Sequence, residues 1–150
     1  MVTLKKFRLK DAQFIIDNFP TYFKTPTIEF VSETLNSWQK GKYPDGGIVL
    51  AYCIVYEGVP VGLITLTEKA KNTLSFGIMI KEEYRKKGIA TKAFNIAKQN
   101  AKNKGITKII SSCAKSNMAS FTLHQKLGFS LIKEEVNLAG NLMCRWEMNL

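Results

Sequence analysis

The chain has 150 residues, of which 45% are hydrophobic and 11% aromatic, and its formal net charge at pH 7 is +10. This length and apolar content are sufficient for one folded domain over residues 1–150, and they exclude an intrinsically disordered chain. No apolar stretch approaches the about 20 residues that a membrane-spanning helix needs, so no membrane partner is expected.

Periodicity and turn residues predict a strand, two helices and a hairpin in the first half of the chain. Residues 2–9 alternate between apolar and basic side chains, which is typical of a half-buried strand. Asp11 is expected to cap a short helix that stops at Pro20, and apolar spacing predicts a second helix over 27–40 that ends at Gly41. Strands over 48–56 and 61–66, joined by a turn at 57–60, form the hairpin, and a further strand covers 74–80.

The second half alternates helices and strands. The segment 88–104 is amphipathic, and its apolar stripe consists of Ile89, Ala93, Phe94, Ile96, Ala97 and Ala101. A strand over 107–113, a helix over 117–127 that ends at Gly128, and strands over 129–136 and 142–150 complete the chain. This order of elements predicts one mixed α/β sheet with helices on its faces.

Two further features of the composition limit the possible functions of the protein. Cys53, Cys113 and Cys144 are an odd number without C-x-x-C spacing, which favours reduced thiols in a cytoplasmic protein over a disulfide or zinc framework. The segment 81–108 carries nine basic residues against two acidic ones, so its field attracts phosphates. An ordinary solvated lysine-rich helix face also explains part of this charge.

A candidate phosphate-binding turn lies between the strand 74–80 and the helix 88–104. Helix N-termini carry free N–H donors and the positive end of the helix dipole, which favour an anion. Gly88 lets the backbone approach a phosphate closely, Ala90 is small enough not to block it, and Arg85, Lys86 and Lys87 add charge-assisted contacts. Neither a P-loop motif nor a G-x-G-x-x-G motif is present.

Two motifs resemble those of a known family. The sequence Arg85-x-x-Gly88-x-Ala90 after an apolar strand is similar to the acetyl-CoA-binding motif of the GNAT N-acetyltransferases. The segment from Asn117 to Phe129 resembles the later helix-to-strand signature of that family, and the order of elements agrees over nearly the whole chain. The resemblance implies a mostly antiparallel twisted sheet of about seven strands with about four helices, and it is strongest to the RimJ/RimL-type ribosomal-protein N-terminal acetyltransferases.

The resemblance also implies acetyl-CoA as cosubstrate and no metal. The diphosphate would lie on the turn, and the pantetheine arm would pair with the strand 74–80, which splays from the next strand. A backbone N–H near Met79 would polarise the acetyl carbonyl. The cofactor-binding residues expected on this basis are Ile78, Met79, Ile80, Arg85, Lys86, Lys87, Gly88, Ile89, Ala90, Thr91 and Asn117.

The catalytic end departs from the family pattern. His124, the only histidine, stands where many relatives carry a tyrosine that protonates the leaving thiolate, and Ser120 lies one turn earlier on the same helix face. The alternatives are a solvated His124, and Asn117 and Ser120 acting only as a helix cap. The strand 74–80 has no carboxylate to serve as a base. The resemblance implies that the second helix lines the acceptor groove, which makes Glu29 and Glu33 candidate groove residues.

The sequence therefore predicts an enzyme that moves an acetyl group to a primary amine, which attacks the thioester directly. The acceptor is a small molecule or a protein N-terminus, and nucleic acid enters only through a ribosomal substrate. A basic RNA- or ribosome-binding module and a catalytically degenerate CoA-binding regulator are the alternatives. A cytoplasmic monomer or homodimer is expected.

Overall fold

Seven strands and four α-helices build the molecule, and the computed structural model describes residues 1–150. In chain order the elements are β1 (Val2–Lys6), α1 (Ala12–Asn18), α2 (Ile28–Lys40), β2 (Val49–Tyr56), β3 (Val59–Ala70), β4 (Thr73–Ile80), α3 (Ile89–Asn103), β5 (Lys108–Ala114), α4 (Met118–Leu127), β6 (Ser130–Val136) and β7 (Leu142–Asn149). The predicted mixed fold class is confirmed.

One sheet holds all the strands in the order β1-β2-β3-β4-β5-β7-β6. Every neighbouring pair is antiparallel except β4 and β5, which run parallel. Parallel neighbours need a crossover connection, and here α3 supplies it between β4 and β5. The start of α3 therefore lies beside the end of β4.

Two apolar layers enclose the sheet. On one face, α3 and α4 bury side chains such as Phe94 and Leu127 against Ile64 and Trp146 of the strands. On the other face, α1 and α2 bury Ile15 and Leu35 against β2 and β3. This second layer contains no residue of β5, β6 or β7, so its cover ends at the middle of the sheet.

The hairpin differs from the prediction in its turn and in the length of β3. Only Glu57 and Gly58, with φ of 49° and 79°, form the turn, so β3 begins at Val59 and continues to Ala70 instead of covering 61–66. A bulge between Ile54 and Val55 opposes Pro60, which explains how a proline fits inside this strand.

Several smaller expectations also need correction. The first strand ends at Lys6, and the carboxylate of Asp11 accepts a hydrogen bond from the N–H of Arg8 at 2.8 Å instead of capping α1. Ile96, placed in the apolar stripe of α3, is 36% exposed. The three cysteines are free and buried. No helix is both long enough and apolar enough to cross a membrane.

Candidate active site

The parallel strands β4 and β5 separate part-way along their length. Only Thr73, Leu74 and Ser75 pair with β5, opposite Lys108, Ile109 and Ile110. Beyond Ser75 the two strands have no ladder between them, although β4 stays paired with β3 as far as Ile80. The sheet therefore contains the splayed gap that the resemblance implies.

The direction of the main-chain groups along β4 decides which of them face this gap. The N–H of Lys81 donates to the carbonyl of Val61, and this bond fixes the alternation of the β3–β4 ladder. In that alternation Met79 exchanges hydrogen bonds with Leu63 on β3, whereas the main-chain N–H and carbonyl groups of Ile78 and Ile80 point away from β3. The N–H that is expected near Met79 to polarise the acetyl carbonyl would therefore be that of Ile78 or Ile80, which faces the gap.

The turn between β4 and α3 presents an uninterrupted series of free main-chain donors. None of the N–H groups from Lys86 to Thr91 donates a hydrogen bond within the chain. Lys86 and Gly88 both have positive φ, of 61° and 77°, and a Cβ at Gly88 would meet nothing within 4 Å. Successive donors in such a concave turn at a helix N-terminus form an anion-binding site.

Basic side chains surround the same turn. Arg85 donates from Nε to the carbonyl of Ile80 at 3.0 Å, which ties the guanidinium group to the end of β4. Lys86 and Lys87 are exposed, and neither has an acidic partner within the chain. The positive charge at the turn is therefore not neutralised by the protein itself.

The predicted residues on α4 divide into two environments. Asn117 is exposed and caps the helix, because its side-chain oxygen accepts a hydrogen bond from the N–H of Ser120 at 3.1 Å. Ser120 is half-buried, and its hydroxyl lies 3.4 Å from Nδ1 of His124. The capping role considered for Asn117 is thus what the structure contains.

His124 is neither solvated nor a free acid. It is 4% exposed, and its ring stacks on Trp146 with the centroids 5.1 Å apart. Nδ1 donates to the carbonyl of Ser120 at 2.7 Å, so Nε2 accepts from the hydroxyl of Ser111, also at 2.7 Å. Burial lowers the pKa of His124, which keeps the ring neutral. Neither ring nitrogen is left to reach a ligand.

A pocket of about 190 Å³ lies beside the gap, on the face that α1 and α2 cover. The hydroxyl of Tyr22 is hydrogen-bonded to that of Thr65 at 2.7 Å. A Cβ at Gly77 would come within 3.1 Å of Thr65 Oγ1 and 3.9 Å of the Tyr22 ring, so glycine leaves the space open. The lining residues are Tyr22, Thr65, Thr67, Lys69, Ser75, Phe76 and Gly77.

No carboxylate lines this pocket. Glu29 and Glu33 are exposed on α2 and are not among its lining residues. Glu68, on β3, accepts a hydrogen bond from the N–H of Ile48 at 3.0 Å. The structure therefore does not bring the candidate groove residues together with the gap.

The pocket residues were not identified from the sequence. The sequence pattern that could have indicated part of the pocket is the alternation of β4, in which the small residues Ser75 and Gly77 occupy the face opposite to Leu74 and Phe76. No group of three or more His, Cys, Asp and Glu side chains is arranged to hold a metal ion.

The chain is similar to known acetyltransferases in sequence. The family model described as "Acetyltransferase (GNAT) domain" matches residues 2–130. A curated relative, the uncharacterized N-acetyltransferase YobR of Bacillus subtilis (strain 168), is 37% identical over 57 residues. That match spans 38% of this chain and 23% of the length of the relative.

Solved structures share the fold at low sequence identity. The spermidine/spermine N-acetyltransferase SpeG from Vibrio cholerae superposes with a TM-score of 0.81 at 18% identity, over 99% of this chain and 95% of its own. The microcin C7 self-immunity acetyltransferase MccE, solved with acetyl-CoA and AMP, has a TM-score of 0.78 at 19% identity, over 99% and 92% of the two chains.

Proposed function

Because the chain belongs to the GNAT acetyltransferase family, which uses acetyl-CoA, we propose that it transfers the acetyl group to a primary amine by direct attack on the thioester. The acceptor is a peptide N-terminus or a small amine. One GNAT domain over residues 1–150 carries the activity. Its motifs favour the RimJ/RimL-type branch, on Gly58-Val-Pro-Val-Gly-Leu-Ile64 and on the segment from Asn117 to Phe129.

The observation that carries this proposal is the set of free N–H donors from Lys86 to Thr91. The first N–H groups of any helix lack a partner within it, but here the free donors continue back through Lys87 and Lys86, so six successive N–H groups are available to an anion. The diphosphate of the cosubstrate has the charge and the oxygen acceptors that such a turn binds. Arg85, Lys86 and Lys87 add charge-assisted contacts.

The open edge of β4 supports a role in aligning the reacting group. Acetyl-CoA supplies the thioester whose carbonyl carbon the amine attacks. The N–H and carbonyl of Ile78 and the N–H of Ile80 are free to pair with an extended ligand along the gap, whereas the carbonyl of Ile80 already accepts from Arg85. We assign the polarising donor to the N–H of Ile78, since it is the gap-facing residue next to Gly77 and the pocket. A fixed N–H at this place stabilises negative charge as it develops on the oxygen.

The hydroxyl-lined pocket on the other face is where we place the acceptor. Its position beside the gap would hold an amine and a thioester together, which lowers the entropic cost of their reaction. The pocket has no carboxylate to remove a proton, so an amine that is partly neutral at pH 7 is favoured. An α-amine, with a pKa near 7.7–8.0, meets this condition better than a lysine side chain at about 10.4.

We do not assign the protonation of the departing thiolate to His124. Its ring nitrogens are both engaged and its pKa is lowered, so we infer that it holds Ser111 and α4 in place. Ser120 is half-buried, and its hydroxyl is the remaining predicted group able to donate a proton, with water as the ultimate source.

Two matched glycine variants test the proposed cosubstrate site. Gly88→Asp puts a carboxylate on the turn, and Gly105→Asp puts one at the other end of α3. Both glycines have positive φ, 77° and 83°, and open space around a Cβ, so their conformational cost is similar. By calorimetry we expect no measurable acetyl-CoA binding for Gly88→Asp and an unchanged Kd for Gly105→Asp.

Turnover is tested by release of free thiol from acetyl-CoA with a panel of amines. The proposed function requires thiol release that depends on both the amine and an intact Gly88. Binding of acetyl-CoA without turnover on any amine would identify a CoA-binding regulator instead. Equal affinity of the Gly88→Asp variant and the unmodified protein would remove the cosubstrate from this turn.

A further inference from the structure

We infer that the acceptor carries an acidic group close to its amine and that Lys69 binds this group. The inference rests on the proposed function and specifies its substrate class. It depends on the charge of the pocket beside the gap. Among the residues that line this pocket, Lys69 is the one that bears a formal charge.

The rest of the lining is polar but neutral. Tyr22, Thr65, Thr67 and Ser75 each contribute a hydroxyl, which can accept from an amine and donate to an acid alike. These groups therefore position a ligand without selecting its charge. Burial raises the pKa of Tyr22, so its hydroxyl stays protonated and neutral.

Lys69 is available for a ligand. It is exposed, and its ammonium group forms neither a salt bridge nor a hydrogen bond within the chain. It lies two residues beyond Thr67 on β3, at the irregularity in the β3–β4 pairing between Glu68 and Ala70, and it is part of the pocket lining. An acid there would be attracted, whereas a second cation would be repelled.

The neighbouring depression of the surface provides a control for Lys69. Asp45, Glu68 and Lys71 line that depression together with Lys69. Asp45 accepts from the N–H of Gly47 at 2.8 Å and Glu68 accepts from that of Ile48 at 3.0 Å, and neither carboxylate forms a salt bridge with Lys69. Lys71 lines the neighbouring depression but not the pocket, and it therefore serves as the matched control.

The size of the pocket indicates how much of the acceptor it receives. At about 190 Å³ it is smaller than the roughly 300–1,000 Å³ of pockets that enclose a whole drug-sized ligand. It therefore admits only the reacting end, meaning the amine and the few atoms next to it. An acidic first residue of a peptide or a small amino acid has both groups within that span.

The test compares matched acceptors in which an acid is replaced by its amide, with kcat/KM referred to the concentration of neutral amine, because a nearby carboxylate raises the pKa of the amine. One pair is a tripeptide amide that begins with aspartate and its counterpart that begins with asparagine, and the other is 3-aminopropanoate and 3-aminopropanamide. Thiol release gives kcat/KM for each acceptor with the unmodified protein and with Lys69→Gln, Lys69→Glu and Lys71→Gln. For any pair that is acetylated, we expect the acid to be preferred about fivefold, as for one partly exposed ion pair.

The variants then assign the preference. Lys69→Gln should bring the ratio to about one, Lys69→Glu should reverse it, and Lys71→Gln should keep it near five. Equal rates for acid and amide with the unmodified protein would overturn the inference while leaving the proposed function intact, and so would a loss of preference in Lys71→Gln. No thiol release with either pair or with any other amine would overturn the proposed function, and this inference with it.

Discussion

The two sides of the splayed gap present different kinds of hydrogen-bonding group. On the α3 side, the turn from Lys86 to Thr91 offers main-chain N–H groups from one continuous segment. On the α1 and α2 side, the pocket offers side-chain hydroxyls from Tyr22, Thr65 and Ser75, which are far apart in the sequence. One side is therefore built by backbone conformation and the other by packing.

This difference separates what is fixed in such a site from what can vary. A main-chain donor persists when its side chain is replaced, provided that the turn keeps its shape. A pocket of side chains changes its shape and charge with each replacement. The proposed cosubstrate side is therefore expected to tolerate many substitutions apart from Gly88, whereas substitutions in the pocket are expected to change which amine is accepted.

The largest expected effect comes from filling the pocket with Gly77→Val. Gly77 lies in a strand without positive φ, so a valine can adopt its backbone conformation. Its Cβ would stand 3.1 Å from Thr65 Oγ1 and would displace the amine. We expect kcat/KM for the amine to fall about 100-fold, as for a reactant misplaced by about 1 Å, with the Kd of acetyl-CoA unchanged. Loss of both would show that the two sides are not separable.

On the turn side, the removal of one basic side chain should weaken acetyl-CoA binding less than the Gly88→Asp substitution does. Arg85→Ala removes a charge-assisted contact but leaves the N–H groups in place, so we expect the Kd of acetyl-CoA to rise about tenfold. The rise should shrink at high salt, because screening weakens exposed charges. Lys104→Ala, at the far end of α3, is the control. An equal rise in both variants would indicate only a general field effect.

The buried environment of His124 is tested through the pH dependence of protein stability. The pKa of His124 is lowered by burial in the folded state, so the unfolded chain takes up the proton first as the pH falls. The free energy of unfolding is therefore fully retained above the unfolded pKa near 6.5 and declines below it, by at most about 1.4 kcal/mol per pH unit. Urea unfolding over this range measures the slope.

His124→Phe should remove that slope relative to the unmodified protein. It keeps an aromatic ring against Trp146 but leaves the hydroxyl of Ser111 without its acceptor, which costs about 1–3 kcal/mol at pH 7. Turnover at saturating acetyl-CoA should change less than about threefold. A fall of about 10²–10⁴-fold, the contribution of a positioned acid, would restore His124 to the catalytic role first predicted for it.

The smallest expected effect is that of Tyr22→Phe. The variant removes the hydroxyl that is bonded to Thr65, and we expect kcat/KM for the amine to fall about fivefold, as for one neutral hydrogen bond. Tyr43→Phe is a matched control, because it removes a hydroxyl that accepts from Trp38 Nε1 at 3.1 Å in the same apolar layer. If both variants lose activity equally, the effect is one of packing.

The same contrast explains how much of the site could be predicted from the sequence. The turn lies within one segment between a strand and an amphipathic helix. Its glycine and its basic residues are therefore neighbours in the sequence, and the phosphate-binding turn could be predicted from them. The order of the strands and helices was accessible for the same reason, since each depends on local periodicity. Tyr22, Thr65 and Gly77 come together only through the pairing of β3 with β4 and the packing of the segment after α1.

Two of the predicted roles depend on information that spacing along the chain does not contain. Asn117, Ser120 and His124 do lie on one side of α4, but spacing cannot tell whether that side meets a ligand or the core, and here Trp146 and Phe129 surround the ring. The polarising N–H was predicted as one near Met79, and which N–H in that stretch faces the gap depends on the register with β3. Both quantities are properties of the assembled sheet.

The short ladder between β4 and β5 also has a mechanical consequence. With Thr73, Leu74 and Ser75 as the only residues of β4 that pair with β5, few main-chain hydrogen bonds join the strands β1–β4 to the strands β5–β7, and α3 connects the two groups along the chain. We expect small rotations between the two groups to break few of these bonds, which would let the width of the gap adjust. A ligand bound to both groups would restrict that motion, and slower amide hydrogen exchange in β5 would report its binding.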